Sequence, residues 1–191
     1  MRDFFQEKNK NAKKVTYSEL PCLENLVKNF DFQPQKSEEL SKDEALYLTG
    51  KWLEEYAYYK IKEKLQLNEQ SIGLGLLLQK ANIQNTDNDF DVMFVLQNEL
   101  YIVECKTSHL INNKSQLSEY IYKLDALRKE FGLYPKAFIY TLGNLPEPEK
   151  LNQQNQIKDR LKFHNIKLLT KENFAIENTQ KFDDWLNSFL G

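Results

Sequence analysis

The chain has 191 residues, of which 41% are hydrophobic and 28% are charged. This apolar content is enough to build a folded core, so wholesale disorder is excluded, and the length suits one domain or one domain with an extension. The 26 basic and 28 acidic residues leave a net charge of −2, which excludes a globally basic nucleic-acid coat protein. Contact with phosphate groups must therefore come from local patches or from a metal ion.

The sequence favours a cytoplasmic protein with no membrane partner. No apolar run reaches the roughly 18 residues of a membrane span, and the basic N-terminus lacks the apolar core of a secretory signal. The two cysteines, Cys22 and Cys105, form neither a zinc-binding spacing nor a disulfide framework.

Residues 1–40 differ in composition from the rest and are predicted to be an N-terminal extension or linker that contains one short helix. The main domain is assigned to residues 41–191. Ser41 and Glu44 have the spacing of a capping box, and apolar residues near every fourth position predict an amphipathic helix to about Leu65. Gly50 interrupts this helix at a cost of roughly 0.5–1 kcal/mol, so close packing is the expected reason for it.

The rest of the main domain alternates between strand and helix patterns. Strands are predicted at 72–79, 90–96, 100–107, 137–142 and 166–169, and helices at 114–131, 146–163 and 182–189. Gln97 and Asn98 form a tight turn between the second and third strands, and Gly73 and Gly75 are typical of a strand kink or bulge. Helices between the later strands indicate crossovers to parallel strands, so the fold class is α/β with a mixed sheet and flanking helices.

Acidic residues are concentrated before the end of the third strand, and basic residues follow it. The two-residue period of a strand places Glu104 and Lys106 on one face and Cys105 on the other. Burying an unpaired charge costs several kcal/mol, and a short hairpin can bring Asp91 beside Glu104. Two close carboxylates repel unless a cation lies between them, and Mg²⁺ prefers oxygen ligands. An ordinary buried ion pair is the alternative for the Glu-Cys-Lys segment taken alone.

Asp91 followed by Glu104-Cys105-Lys106, in this order of elements, resembles the PD-(D/E)xK nuclease superfamily. The segments Gly50–Tyr56, Asn88–Phe94 and Leu100–Thr107 are more closely similar to the nuclease domain of the CARF-linked effector nucleases of type III CRISPR systems. The resemblance implies a restriction-endonuclease-like fold with an α-β-β-β-α-β core. It also implies a metal-dependent endonuclease that acts on DNA, RNA or both, in CRISPR-linked or other anti-phage defence.

The resemblance also implies roles for individual residues. Asp91 and Glu104 would bind Mg²⁺ or Mn²⁺ directly, the backbone carbonyl of Cys105 would be a third ligand, and Lys106 would hold the attacking water and stabilise charge on the phosphate. Glu54 matches the family's Trp-Leu-Glu segment, and its helical position indicates an inward-turned acid that joins the metal site. Pairing of Glu54 with a core tyrosine is the alternative.

The helix after this strand carries weaker candidates. Gln116 and Tyr120 match a Gln-x-x-x-Tyr pattern that positions substrate in RecB-type nucleases, although the spacing could be chance. Lys123 could meet a phosphate, and a solvated surface lysine is the simpler interpretation. The Cys105 thiol is expected to be a small core group, because no partner histidine is placed near it.

In the family that the chain resembles, a ligand-sensing CARF domain precedes the nuclease domain and mediates pairing. About 40 residues are too few for such a domain, so we expect the cyclic-oligoadenylate sensor to be absent from this chain, and homodimer formation stays open. Two other functions also stay open. One is a catalytically silent nuclease-fold module that binds nucleic acid, and the other is a restriction-type nuclease unrelated to CRISPR.

Overall fold

A computed structural model of the chain describes residues 15–16, 39–78, 88–107, 114–129, 131, 135–142, 151–170 and 184. The chain divides into two compact units, Met1–Trp52 and Leu53–Gly191. In the first unit, β1 (Val15–Thr16) pairs with β2 (Glu39–Leu40) as a short antiparallel ribbon. The helix predicted within the extension lies outside the described residues, and of the helix predicted at 182–189 only Asp184 is described, in a helical conformation.

A capping box begins the first helix, as predicted. The Ser41 N–H donates to a Glu44 carboxylate oxygen at 2.6 Å, and the Glu44 N–H donates to Ser41 Oγ at 3.2 Å. Helix α1 (Lys42–Leu46) then runs into a π-helical turn, Tyr47–Lys51. A Cβ atom added to Gly50 in this turn would meet no described atom within 4 Å, so the close-packing explanation for this glycine is wrong.

The second unit is built around a five-stranded mixed sheet. Its strands, in their order across the sheet, are β3 (Ile72–Leu78), β4 (Asn88–Leu96), β5 (Glu99–Lys106), β6 (Lys136–Thr141) and β7 (Ile166–Thr170). Strands β3, β4 and β5 are antiparallel neighbours, whereas β5-β6 and β6-β7 are parallel pairs. Parallel neighbours need a crossover connection, and a helix lies between the strands of each parallel pair. The predicted mixed α/β sheet is confirmed. The helices are α2 (Trp52–Lys64), α3 (Lys114–Lys129) and α4 (Leu151–Phe163).

The hairpin between β4 and β5 sets the register on which the candidate site depends. Gln97 and Asn98 have φ values of 51° and 63°, as a two-residue type I′ turn requires. The Cα pairing then runs from Leu96 opposite Glu99 to Val92 opposite Val103. Extending this register by one residue places Asp91 opposite Glu104.

Gly75 has an irregular backbone conformation within β3, where the sequence predicted a kink or bulge. Its φ is +59°, a conformation that residues with a Cβ atom rarely adopt. The pairs Leu74–Val92 and Leu76–Phe90 flank it, so Gly75 lies opposite Asp91 in the neighbouring strand. Gly75 and the candidate acid therefore lie at the same level of the sheet.

Both faces of the central strand β5 are buried. Ile102 belongs to a core cluster with residues of α3 and α4, including Ile121 and Leu161. On the other face, the Tyr101 ring stacks between Phe94 and Phe138. The predicted alternation along β5 is confirmed by this division. Among the helices of the described residues, none combines the length and apolar character needed to cross a membrane.

Candidate active site

Two carboxylates and an ammonium group meet at the C-terminal end of β5. Lys106 Nζ lies 2.7 Å from Glu104 Oε1 and 3.4 Å from Asp91 Oδ2. The side chains of Glu104 and Asp91 are only 6% and 10% exposed, and that of Lys106 is 16% exposed. The structure therefore brings three of the predicted site residues together. Their charged groups enter one space, not opposite surfaces of the sheet.

The backbone of β5 orients the Asp91 carboxylate. The pairing of β4 with β5 ends at Val92 and Val103, and Asp91 is the next residue of β4 beyond this pair. Beyond the ladder, the Cys105 N–H donates to Asp91 Oδ2 at 2.6 Å. The Asp91 carboxylate thus takes the place of the backbone oxygen that would continue the strand pairing. The short charge-assisted hydrogen bond fixes Asp91 beside Glu104.

The electrostatics of the cluster follow from burial and from mutual repulsion. Burial and the neighbouring Glu104 charge raise the pKa of the Asp91 carboxyl to about 6, against the opposing effects of Lys106 and the Cys105 N–H. Burial lowers the pKa of the Lys106 ammonium, but the charges of Glu104 and Asp91 outweigh this, and the net shift is upward. Lys106 therefore stays protonated at neutral pH and carries a positive charge with hydrogen-bond donors.

Helix α3 adds two side chains to the cluster. Lys106 Nζ lies 4.9 Å from the centre of the Tyr120 ring, within cation–π range. Lys123 Nζ lies 3.8 Å from Glu104 Oε1, with its side chain 48% exposed. The interpretation of Lys123 as a solvated surface lysine is therefore right only in part. The side chain of Gln116 lies outside the described part of the chain.

The three-residue spacing of Tyr120 and Lys123 is a signal that both face the same neighbour. The sequence analysis paired Tyr120 with Gln116 and did not use its spacing from Lys123.

The Cys105 thiol is not suited to be a nucleophile. It is buried, and its pKa is raised well above the ordinary value, first by burial and then by the charges of Asp91 and Glu54. This agrees with the expected role of a small core group. The thiolate that nucleophilic attack requires is therefore disfavoured at neutral pH.

The charge of Glu54 contributes to the raised pKa of Cys105. This indicates that the half-buried carboxylate of Glu54 lies near the end of β5. In the described part of the chain, no three His, Cys, Asp or Glu side chains form a cluster that could hold a metal ion. Glu54 thus does not complete a three-side-chain ligand set with Asp91 and Glu104.

The donor groups at the end of β5 suit a hard cation. Carboxylate oxygens are the preferred ligands of Mg²⁺, which commonly uses one or two carboxylates and keeps several waters. The pKa of the Asp91 carboxyl is raised first by burial and then by the negative charge of Glu104. A bound cation would offset the repulsion between the two carboxylates, so the residues present fit a site for Mg²⁺ or Mn²⁺.

Asp91, Glu104 and Lys106 form an acid-acid-lysine cluster. The mixed sheet and this cluster together define a nuclease-like α/β protein. Comparison with family models gives a match over residues 41–175 to the family described as Card1-like, endonuclease domain. Because this match covers most of the sequence, the chain belongs to the Card1-like endonuclease domain family. The predicted relationship to the nuclease domain of CARF-linked effector nucleases is thereby confirmed.

Solved structures share the fold. Protein VC1899 from Vibrio cholerae aligns at 20% identity and a TM-score of 0.62, over 87% of this chain and 44% of that protein. Can2 from Sulfobacillus thermosulfidooxidans, solved in complex with cyclic tetra-adenylate, aligns at 19% identity and a TM-score of 0.56, over 86% and 45%. This chain thus spans less than half the length of either protein. Comparison with curated protein sequences gives no match.

Proposed function

We propose that this endonuclease domain hydrolyses phosphodiester bonds in DNA, RNA or both, using Mg²⁺ or Mn²⁺ held by Asp91 and Glu104. The observation that carries the proposal is the contact of both buried carboxylates with the ammonium of Lys106. Buried ion clusters contribute little net stability, because desolvation costs several kcal/mol per ion. A catalytic use explains their presence at the end of a central strand.

The cation ligands follow from the local backbone. Asp91 and Glu104 would supply one carboxylate each, and the backbone carbonyl of Cys105 would supply a third oxygen. In an extended strand, the N–H and C=O of one residue point to the same side. The Cys105 N–H donates to Asp91, so its carbonyl also faces the β4 side. When bound, the cation would lower the pKa of a ligated water and neutralise charge on the phosphate.

The side chains at the site have distinct roles in this reaction. Lys106, held by its two acids and by the Tyr120 ring, donates hydrogen bonds to the attacking water and to a phosphate oxygen. The water oxygen forms a bond to phosphorus and releases a proton to the solvent. The bond from phosphorus to the 3′ oxygen breaks, and the leaving oxygen takes up a proton from the solvent. Glu54 acts at the edge of the site, through a water molecule.

The biological setting that we propose is CRISPR-linked or other anti-phage defence, with nucleic acid as the substrate. Membership of the Card1-like family supports this setting. We propose that sensing of a cyclic oligoadenylate, if it regulates this activity, resides outside residues 41–175. The identity of neighbouring genes tests the setting, since CRISPR genes beside this one would disfavour an unrelated restriction enzyme.

Cleavage assays test the activity directly. Wild-type protein is incubated with supercoiled plasmid and with single-stranded DNA and RNA, in Mg²⁺, in Mn²⁺ and in EDTA. We expect metal-dependent cutting that Glu104→Ala and Lys106→Ala each reduce by at least about a hundredfold. Glu119→Ala, an exposed acid of α3, is the matched control and should cut like wild type.

Equal cutting by wild type, Glu104→Ala and Lys106→Ala would overturn the assignment. Tight nucleic-acid binding by wild type without cutting under any metal condition would instead support the catalytically silent module.

A further inference from the structure

We infer that Lys123 is an exchangeable phosphate-binding lysine of this site. It pairs with Glu104 in the metal-free protein and moves to a substrate phosphate when a cation binds Glu104. This inference rests on the proposed function and adds to it a substrate-binding residue and a sequence of contacts. It starts from the observation that two ammonium groups share one oxygen atom, Glu104 Oε1.

The two lysines are held very differently. Lys106 Nζ lies 2.7 Å from Glu104, contacts Asp91 and the Tyr120 ring, and is 16% exposed. Lys123 Nζ lies 3.8 Å from the same Glu104 oxygen, near the outer limit of an ion pair, and is 48% exposed. An ion pair with one half-exposed partner is weaker than one between two buried groups. Lys123 is therefore the cation that can leave Glu104 at the lower cost.

The charge balance of the cluster gives the exchange its direction. Two carboxylates face two ammonium groups in the metal-free protein, so the formal charges cancel. A divalent cation bound to Glu104 repels the nearby Lys123 ammonium and leaves the site with excess positive charge. A phosphodiester brings negative charge to the same place, and the long flexible side chain of Lys123 carries three donors that can follow it.

The first experiment measures the affinity for Mn²⁺ alone, by isothermal titration calorimetry without nucleic acid. Lys123→Gln removes the group that competes with the cation for Glu104, so we expect Mn²⁺ to bind about two- to fivefold more tightly. Lys123→Arg should stay close to wild type. Lys129→Gln, the same change six residues further along α3, is the matched control. Lys129 pairs with Asp125, away from the site, and its substitution should leave Mn²⁺ affinity unchanged.

The second experiment measures binding of labelled single-stranded DNA and RNA by fluorescence anisotropy, over a range of salt concentrations. Ca²⁺ serves as a larger hard cation, and EDTA gives the metal-free state. In Ca²⁺ we expect Lys123→Gln to weaken binding by about two- to fivefold and to reduce the salt slope by roughly 0.7, as for one lost phosphate contact. In EDTA the substitution should weaken nucleic-acid binding less, because Lys123 is then paired with Glu104.

Opposite signs in the two experiments, tighter Mn²⁺ binding and weaker nucleic-acid binding, support the exchange, and a merely structural role would not produce them. If Lys123→Gln matches wild type in both experiments, or weakens Mn²⁺ binding, the inference is overturned while metal-dependent cleavage by wild type stands. Failure of wild type to bind Mn²⁺ and to cut overturns the proposed function, and this inference with it.

Discussion

Replacing Lys106 with methionine tests how strongly the two buried acids depend on a positive charge. Methionine keeps much of the side-chain length but removes the ammonium that lies 2.7 Å from Glu104 and 3.4 Å from Asp91. Because both acids are buried, the small stabilisation energies that are typical of surface ion pairs do not apply. Removing one partner of a buried ion pair costs about 3–5 kcal/mol. We expect the free energy of unfolding at neutral pH in EDTA to fall by that amount.

Urea unfolding followed by circular dichroism measures this loss. A cation that binds only the folded state raises its stability by about 2.7 kcal/mol at one hundred times its Kd. Mn²⁺ should therefore stabilise Lys106→Met more than it stabilises wild type, since it replaces the missing charge. Lys60→Met is the control. Lys60 Nζ lies 3.9 Å from Glu63 in a more exposed pair, so the expected change is below about 1 kcal/mol.

Two outcomes would refute this reasoning. One is a Lys106→Met protein that unfolds at the same urea concentration as wild type, with and without Mn²⁺. The other concerns the double variant Lys106→Met with Asp91→Asn, which should recover part of the lost stability because it removes one of the two unpaired charges. Strictly additive losses in the double variant would show that Asp91 and Lys106 are not energetically coupled.

Further predictions concern parts of the fold outside the cluster. Burial raises the pKa of the Asp125 carboxyl, but hydrogen bonds from Lys129 and Arg128 outweigh it and hold the pKa below its ordinary value. A lowered carboxyl pKa adds stability that is present above the unfolded value and is lost as pH falls through the folded value. Urea unfolding from about pH 5 to about pH 3 should show a loss that is smaller in Asp125→Asn. Gly75→Ala should lower the free energy of unfolding by about 1–2 kcal/mol because of its left-handed φ, whereas Gly50→Ala should raise it by about 0.5–1 kcal/mol. Equal thermal shifts for the two alanine variants would contradict the backbone explanation.

The acid-acid-lysine cluster could be predicted from local rules. A two-residue period along β5 put Glu104 and Lys106 on one face, and the Gln97-Asn98 turn limited the hairpin to a register that brings Asp91 beside Glu104. Each step depends on neighbours in sequence or on a tight turn, so the sequence contained the information. The Ser41 capping box was predictable for the same reason.

Other features could not be predicted because they depend on interactions that local patterns do not describe. The apolar spacing indicated one helix up to about Leu65, whereas the structure has a π-helical turn at Tyr47–Lys51. The same pattern could not show that the space around Gly50 is open in the described structure. The β1-β2 ribbon joins two-residue strands separated by more than twenty residues, and so short a segment carries no recognisable period.

By itself, the sequence determined the α/β class and the three charged groups at the end of β5, because alternation and turn chemistry act over a few residues. The resemblance of its motifs indicated the family relationship. Only the tertiary structure decided that Lys123 and Tyr120 reach those groups and that Cys105 orients Asp91 through its backbone. The rotation of a helix about its axis and the distance to the sheet are set by the packing of many side chains at once. No single spacing in the sequence encodes them.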